Sequence, residues 1–509
     1  MSKWWETDPI AVKWLQLSFA TLVLIELWQR WPLRRLLYGS EGLLSLKLWL
    51  QIQGKQPRLS LLSLSSAEWL LNSCFLIAAC SALVLIYRVY KDWSTHWCWL
   101  SLTICTISLY GRCWIGETSA VLIQRSALLF IFLIILAPNL TGQYLASFGL
   151  RLQFALIYLF NGLQKGGETW LSGEALNLFM KQDRINTPFA LWCVETVPKS
   201  VLQGLTWTTL LFELGLPFLM MSPSSAYRLR SLAILVIISL HGTMLLLVDL
   251  SCFPLTMIAL TPILLTSWHD RLFSAWISSL KSNLKSTSIF IIVSAWIYTA
   301  TQQTNKLNTK ISYIPKVVYK LKPSRSKKLW SYIHLSFTTL LLMMIVSGTL
   351  IDNPITHSIS PNLPTPLSHL RRSLDLKQWW SLYAPDVPKK DGWALIALWN
   401  GKRWLDPRSG QSPELSAYPA LNRKWSGHLE RIAHELVRPS LKPLRDQLQK
   451  WFLNSNEQRG GIRAGEKIYG GEYWWVSETA GQLQLHHISR WGKLPKLKCI
   501  RKPCWLSIK

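Results

Sequence analysis

Over the first 350 positions, apolar residues run in stretches as wide as a lipid bilayer, and polar residues cluster in the short breaks between them. A membrane-crossing helix needs ~20 consecutive apolar residues. Windows 69–87, 93–111, 231–248, 250–269 and 329–351 come close to or exceed that length without one Asp, Glu, Lys or Arg. Further apolar windows hold an ionisable residue: Glu26 near 13–31, Arg125 in 119–137, Arg151 in 146–164 and Glu213 in 201–221. The pattern predicts a mainly α, polytopic membrane helix bundle of about nine spans. Segment 286–300 is only 15 residues long. It suits an interfacial piece, or a tenth span if tilted. After residue 352 the pattern changes to polar, Trp-rich sequence with turn signals at Asp352-Asn353-Pro354 and Pro361-Asn362-Leu363-Pro364. Within it, the run 393–399 (WALIALW) followed by Asn400-Gly401 predicts a hairpin. The apolar spacing of 425–453 predicts one or two helices. The expected domains are a bundle at 1–300, a basic linker at 301–329, a last span at 330–351 and a small α+β extramembrane domain at 352–509. No repeat of fixed period is visible.

Composition sharpens this picture. Half the residues are hydrophobic and 16% are charged, which fits a lipid-embedded chain. The net charge of +28 invites a nucleic-acid reading, but the basic residues flank apolar spans instead of forming a stripe beside a recognised module. Cations facing anionic headgroups explain them more simply, so the expected partner is the bilayer and not nucleic acid. The linker carries Lys306, Lys310, Lys316, Lys320, Lys322, Arg325, Lys327 and Lys328 with no acid among them, which places it in the cytoplasm. The following span then puts the tail outside. Nine spans place Lys165 on the tail's side and ten on the other; Lys and Arg counts lean slightly to ten. No cleavable leader is seen ahead of the first helix, which is expected to be retained. The tail's net +12 (25 Lys and Arg against 13 Asp and Glu) and its tryptophans suit either a membrane-facing surface or a compact aromatic core, with core preferred. Most cysteines lie in or near the spans at spacings unlike a zinc site, so no metal is expected. Cys499 and Cys504 could close a short disulfide on an oxidising face.

The candidate chemistry centres on residues 151–173, RLQFALIYLFNGLQKGGETWLSG. An apolar helix runs into Lys165, then Gly166-Gly167 and Trp170. The simplest reading is an amine that snorkels to the interface. The sharper one is an amine held in a partly dry pocket, where desolvation would lower its pKa and make it a usable general base. Glu213, alone in its apolar helix, must be protonated, paired or facing water. Arg151 and Gln153, below Tyr158, could reach it across the bundle. His241 and Asp249 lie eight residues apart, near one helix face. A lone histidine on such a helix is more often structural than a base.

The spacing Arg151-x-Gln153-x4-Tyr158-x3-Gly162-x2-Lys165-x4-Trp170-x2-Gly173 resembles the signature of the vitamin K-dependent γ-carboxylase superfamily, whose membrane part is the horizontally transferred transmembrane (HTTM) domain. His241 followed twelve residues later by Phe253, and the acid at Glu213, are similar to that family's later segments. The stretch QWWSLYAPDVPKKDGWALIALWNGKRWLD resembles the tryptophan and Ala-Pro-Asp pattern C-terminal to bacterial HTTM domains. The resemblance implies that Lys165 is a base with His241 and Glu213 as further catalytic groups. It implies that Arg151, Gln153, Tyr158, Gly162, Trp170 and Gly173 build a quinone- or substrate-binding site. By resemblance the cofactors are a reduced vitamin K-type quinone, O2 and CO2, with no metal. Two departures stand out: PNLTGQYLASFG, ahead of Arg151, has no histidine, and Gln164 precedes Lys165. The tail is also much shorter than the carboxylase's. The lysine centre is therefore carried further than the glutamate substrate. The alternative is a non-enzymatic membrane scaffold that presents the tail to a partner. A transporter is disfavoured, because the halves show no inverted symmetry.

Overall fold

A computed structural model of the chain describes residues 6–53, 58–113, 115, 118–182, 185–272, 275, 325–359, 363–389, 391–407, 409–415, 432–454, 465–479 and 482–494. Segment 286–300, most of the basic linker and the Cys499–Cys504 pair lie outside them, as does 425–431.

The main helices are α1 (Pro9–Arg30), α2 (Glu68–Tyr90), α3 (His96–Arg112), α4 (Ser119–Leu136), α5 (Leu140–Gln164), the single turn α6 (Glu168–Leu171), α7 (Lys199–Met220), α8 (Tyr227–Leu247), α9 (Phe253–Leu260) and α10 (Arg325–Asp352). The tail adds α11 (Lys442–Asn454) and a four-stranded sheet. Local sequence sets the ends. α1 starts at Asp8, whose carboxylate accepts from the Ile10 N–H, with Pro9 in the first turn. Asn139 caps α5 in the same way through the Gly142 N–H.

Five helical stretches among the described residues are long and apolar enough to cross a membrane: Pro9–Tyr38, Glu68–Tyr90, Ser119–Leu136, Tyr227–Leu247 and Lys328–Asp352. Of the other expected spans, 93–111, 146–164 and 201–221 fall on helices outside these five, and 250–269 needs correction. Segment 250–269 forms only a short apolar helix, Phe253–Leu264, because Pro262 tightens its end into a 3-10 turn and Leu265 is extended. Met257, Leu260, Ile263 and Leu264 are buried, so this piece serves as a core helix.

α1 and α2 are clamped at both ends. Lys13 pairs with Asp92 at 2.9 Å, and Arg35 with Glu68 at 2.5 Å. The outward face of α2 exposes Leu76, Ile77, Leu83 and Val84, a surface suited to acyl chains. Exposed indoles mark its two ends: Trp28, Trp31 and Trp69 at one, Trp93 and Trp97 at the other. Indoles favour the headgroup level, and a helix of 23 residues separates the two groups by roughly 35 Å.

Two of the lone charges inside the bundle, Glu26 and Arg125, are paired. Arg30 Nε donates to Glu26 Oε1 at 2.7 Å one turn away, and its guanidinium also reaches the Tyr38 hydroxyl at 3.1 Å. Arg125 reaches into the tail, donating to the carbonyl of Asp375 and lying 2.7 Å from its carboxylate, which also accepts from Arg58 at 2.7 Å.

The sheet runs β2 (Trp404–Leu405), β1 (Asp391–Trp399), β3 (Gly470–Thr479) and β4 (Gln482–Gly492), all antiparallel. Trp399 opposite Trp404 closes the expected hairpin around Asn400-Gly401. Both faces of β1 are covered, which is why its sequence does not alternate. Trp393, Leu395 and Ala397 pack with Trp404 and Trp474 on one face. Ala394, Ile396 and Leu398 join the main core, to which Leu444, Leu448 and Phe452 of α11 also belong. Trp380, Trp393, Trp404 and Trp474 are buried, so these tail indoles act as core.

Candidate functional site

Lys165 ends α5, its backbone N–H closing the last turn on the carbonyl of Gly162. Its side chain turns inward. Nζ lies 2.6 and 2.7 Å from the two carboxylate oxygens of Glu213 on α7, and the two side chains are only 5% and 4% exposed. Asn161, one turn before the lysine, donates from Nδ2 to the same carboxylate at 2.8 Å. The Trp170 ring covers the ammonium, with its centroid 4.1 Å from Nζ. An ammonium over an indole face gains from the ring quadrupole and is shielded from water.

One sequence feature lets α5 and α7 come this close. A Cβ on Gly162 would sit 3.0 Å from Leu214 Cδ2 and 3.3 Å from Glu213 Cβ, so glycine lets the carboxylate-bearing helix approach. Pro217 lies inside α7 four residues after Glu213. Lacking an N–H, it leaves the Glu213 carbonyl without its helical donor.

The pair stands on the wall of a cavity of about 930 Å³ that is lined mainly by apolar side chains, among them Leu176, Phe179, Phe212, Met244 and Phe253. Tyr158 and His241 share this wall, with Oη and Nε2 hydrogen-bonded at 2.8 Å. Phe253 meets the His241 ring edge-on at 5.6 Å. His241 Nδ1 is buried with no hydrogen-bond partner among the described residues. Asp249 lies just past the end of α8, at the cavity, and caps the Ser251 N–H.

Part of the cavity is built by the tail. Ser381, Leu382 and Tyr383 line it. The Leu382 N–H donates to Asn161 Oδ1 at 3.0 Å, and Trp170 Nε1 donates to the Tyr383 carbonyl at 2.8 Å.

Not every expected residue converges here. Arg151 is buried 14 residues before Lys165, roughly 21 Å along the helix axis, and does not line the cavity. Gln153 donates to the Ser126 hydroxyl on α4 and not toward Glu213. Gly173 holds a φ of +81° just after α6, a conformation glycine adopts without strain, and its position would not admit a Cβ beside Gln203. Asn161, Leu382 and Tyr383 do not stand out in the sequence. Only Asn161 carries a signal there, being four residues before Lys165 on one helix face.

Residues 141–268 match the family model of the HTTM domain. The chain carries an HTTM domain. No curated protein and no solved structure matches the chain. The matched HTTM stretch begins at α5 and ends just beyond the 3-10 turn, so it contains Lys165, Glu213 and His241, while α1 to α4 and the tail lie outside it. With the apolar helices, the HTTM domain supports an integral membrane protein.

The chemistry of the cavity wall fits a lipid-soluble ligand with polar oxygens. It combines an apolar body, an ammonium–carboxylate pair and a histidine nitrogen awaiting a partner.

Proposed function

We propose that this protein is a membrane enzyme in which Lys165 and Glu213 act as one proton acceptor toward an acidic hydroxyl of a lipid-soluble ligand. The observation that carries this reading is the burial of the pair on the wall of an apolar cavity. An ammonium–carboxylate pair has no net charge and accepts one proton as a unit, whichever atom finally holds it. Trp170 keeps water from the nitrogen, and Asn161 keeps Glu213 facing it. Tyr158 and His241 would hold a second polar group of the ligand. Gly162 sets the approach of the helices, and Gly173 the turn after Trp170. Arg151 and Gln153 stand apart and are read as supports of the α5 framework.

The carboxylase-like relation of the HTTM domain suggests a reduced quinone of the vitamin K class as the ligand. When bound, such a hydroquinone supplies the O2-dependent chemistry that in the carboxylases drives the addition of CO2. The lysine centre supports this inference; nothing supports protein glutamate as the acceptor. The tail's contacts with Asn161 and Trp170 favour a threading with Lys165 on the tail's side, and the basic linker argues that this side is extracytoplasmic.

The test uses the full chain in lipid nanodiscs with an isoprenylated naphthohydroquinone and O2, tracking loss of the reduced form by absorbance. Turnover above empty discs is expected, and Lys165→Ala should lower it by ~10²-fold or more, the usual contribution of a positioned base. A wild-type rate equal to empty discs refutes the proposal and leaves the scaffold reading.

A further inference from the structure

Tail residues 380–389 run across the Lys165 end of the bundle as a strap, and their contacts converge on the turn after the lysine. The carbonyl of Pro385 accepts from the Gly167 N–H at 3.0 Å. Asp386 Oδ1 accepts from the Thr169 N–H at 2.7 Å and from the Thr169 hydroxyl at 2.8 Å, while that hydroxyl accepts from the Val387 N–H at 3.1 Å. The next residue, Trp170, is tied to the Tyr383 carbonyl and places its ring against the Lys165 ammonium. At the strap's other end, the Leu382 N–H holds the Asn161 side chain whose amide faces Glu213. Both partners of the buried pair are thus oriented by a neighbour that the strap itself grips.

We propose that Asp386 is a positioning residue of the Lys165 site, acting through Thr169 and Trp170, and that the site is completed only when the tail strap is docked. An ionised acceptor fits this place well, because its one oxygen Oδ1 takes both bonds from Thr169. Hydrogen bonds to an ionised acceptor are short and roughly twice as strong as neutral ones. Gly167 leaves room for it, since a Cβ there would run into the Asp386 carboxylate. The HTTM match at 141–268 stops more than a hundred residues before the strap, so the polar end of the cavity joins two separate parts of the chain.

The experiment measures acylation of Lys165 by a small amine-reactive reagent in the full chain in membranes, read by peptide mass spectrometry across a pH series. Lys199, whose side chain is 65% exposed, serves as the internal standard. Asp386→Ala should raise the Lys165 rate on the order of tenfold, as hydrogen bonds to a charged group are lost, and shift the pH midpoint of labelling. Gly167→Ala, which pushes the carboxylate away from the opposite side, should do the same. Asp386→Asn keeps an accepting oxygen but loses the charge, and should fall between wild type and the alanine variant. A Lys165 profile unchanged in both Asp386→Ala and Gly167→Ala overturns the proposal, as does an Asp386→Asn protein as reactive as the alanine variant. Labelling needs no turnover, so a failure of the hydroquinone reading stays distinguishable: the wild type would then lack activity while the strap variants still altered Lys165.

Discussion

Removing one partner of the Lys165–Glu213 pair should be far more damaging than removing both. At 2.7 Å and an effective dielectric of 20, the mutual attraction is about 6 kcal/mol. Desolvating two ions costs several kcal/mol each, so the intact pair adds little net stability. Taking away one side leaves a charge with no counter-ion in an apolar cavity, at a cost of about 3–5 kcal/mol. Lys165→Met and Glu213→Leu should each show that loss. The double variant should lie within about 2 kcal/mol of wild type, the remainder coming largely from Asn161 losing its acceptor. The assay is denaturant unfolding of the detergent-solubilised full chain, with midpoint and slope compared across the four proteins of the cycle. Additive single losses, or single losses below about 1 kcal/mol, would mean that the two groups are hydrated and independent, and the buried-pair argument would fail.

Two further outcomes concern the docking of the tail. Arg125→Leu removes one of the cations on Asp375 and leaves Arg58, so the loss should be about 2–3 kcal/mol, short of the cost of a fully orphaned carboxylate; protease susceptibility of the segment around Asp375 reports it. The Asp386 carboxyl lies below its usual range because the Thr169 backbone N–H and then its hydroxyl hydrogen-bond the charged form. A depressed folded pKa gives a contribution that is complete above the unfolded value of about 4 and lost as pH falls through the lower folded value. Strap docking, monitored by accessibility of a cysteine at position 383, should therefore persist at pH 5 and weaken below about pH 4 in wild type, whereas in Asp386→Asn it should be weaker throughout and show no such step.

The helices were legible because bilayer-width apolar windows leave few alternatives, and their bounds follow Asp8, Asn139 and the glycines after Lys165. Segment 250–269 misled because composition alone cannot tell a lipid-facing helix from a core one; Pro254 and Pro262 carried the hint of a short element. Lys165 and Glu213 each stood out as charges in apolar sequence, yet their pairing spans 48 residues and depends on the clearance at Gly162. The expected reach of Arg151 and Gln153 toward Glu213 failed for a similar reason. Spacing along one helix says nothing of which neighbour faces it, and Gln153 faces α4. Least legible was the strap. Asp386 belongs to the Ala-Pro-Asp pattern, yet the sequence gives it no role until the fold sets it against Thr169, 217 residues earlier. The strand β3 was not foreseen either, because its glycines and Glu472 disguise a run that is buried by pairing on both sides.

The two groups of exposed indoles on α1, α2 and α3 have a consequence of their own. Set roughly 35 Å apart, they form a ruler matched to a thick hydrocarbon layer. In a thin bilayer the tryptophans could reach both headgroup planes only if the helices leaned, and leaning would shear α1 against α2 at the Lys13–Asp92 and Arg35–Glu68 clamps. Bilayer thickness would then be a physical variable to which this protein responds.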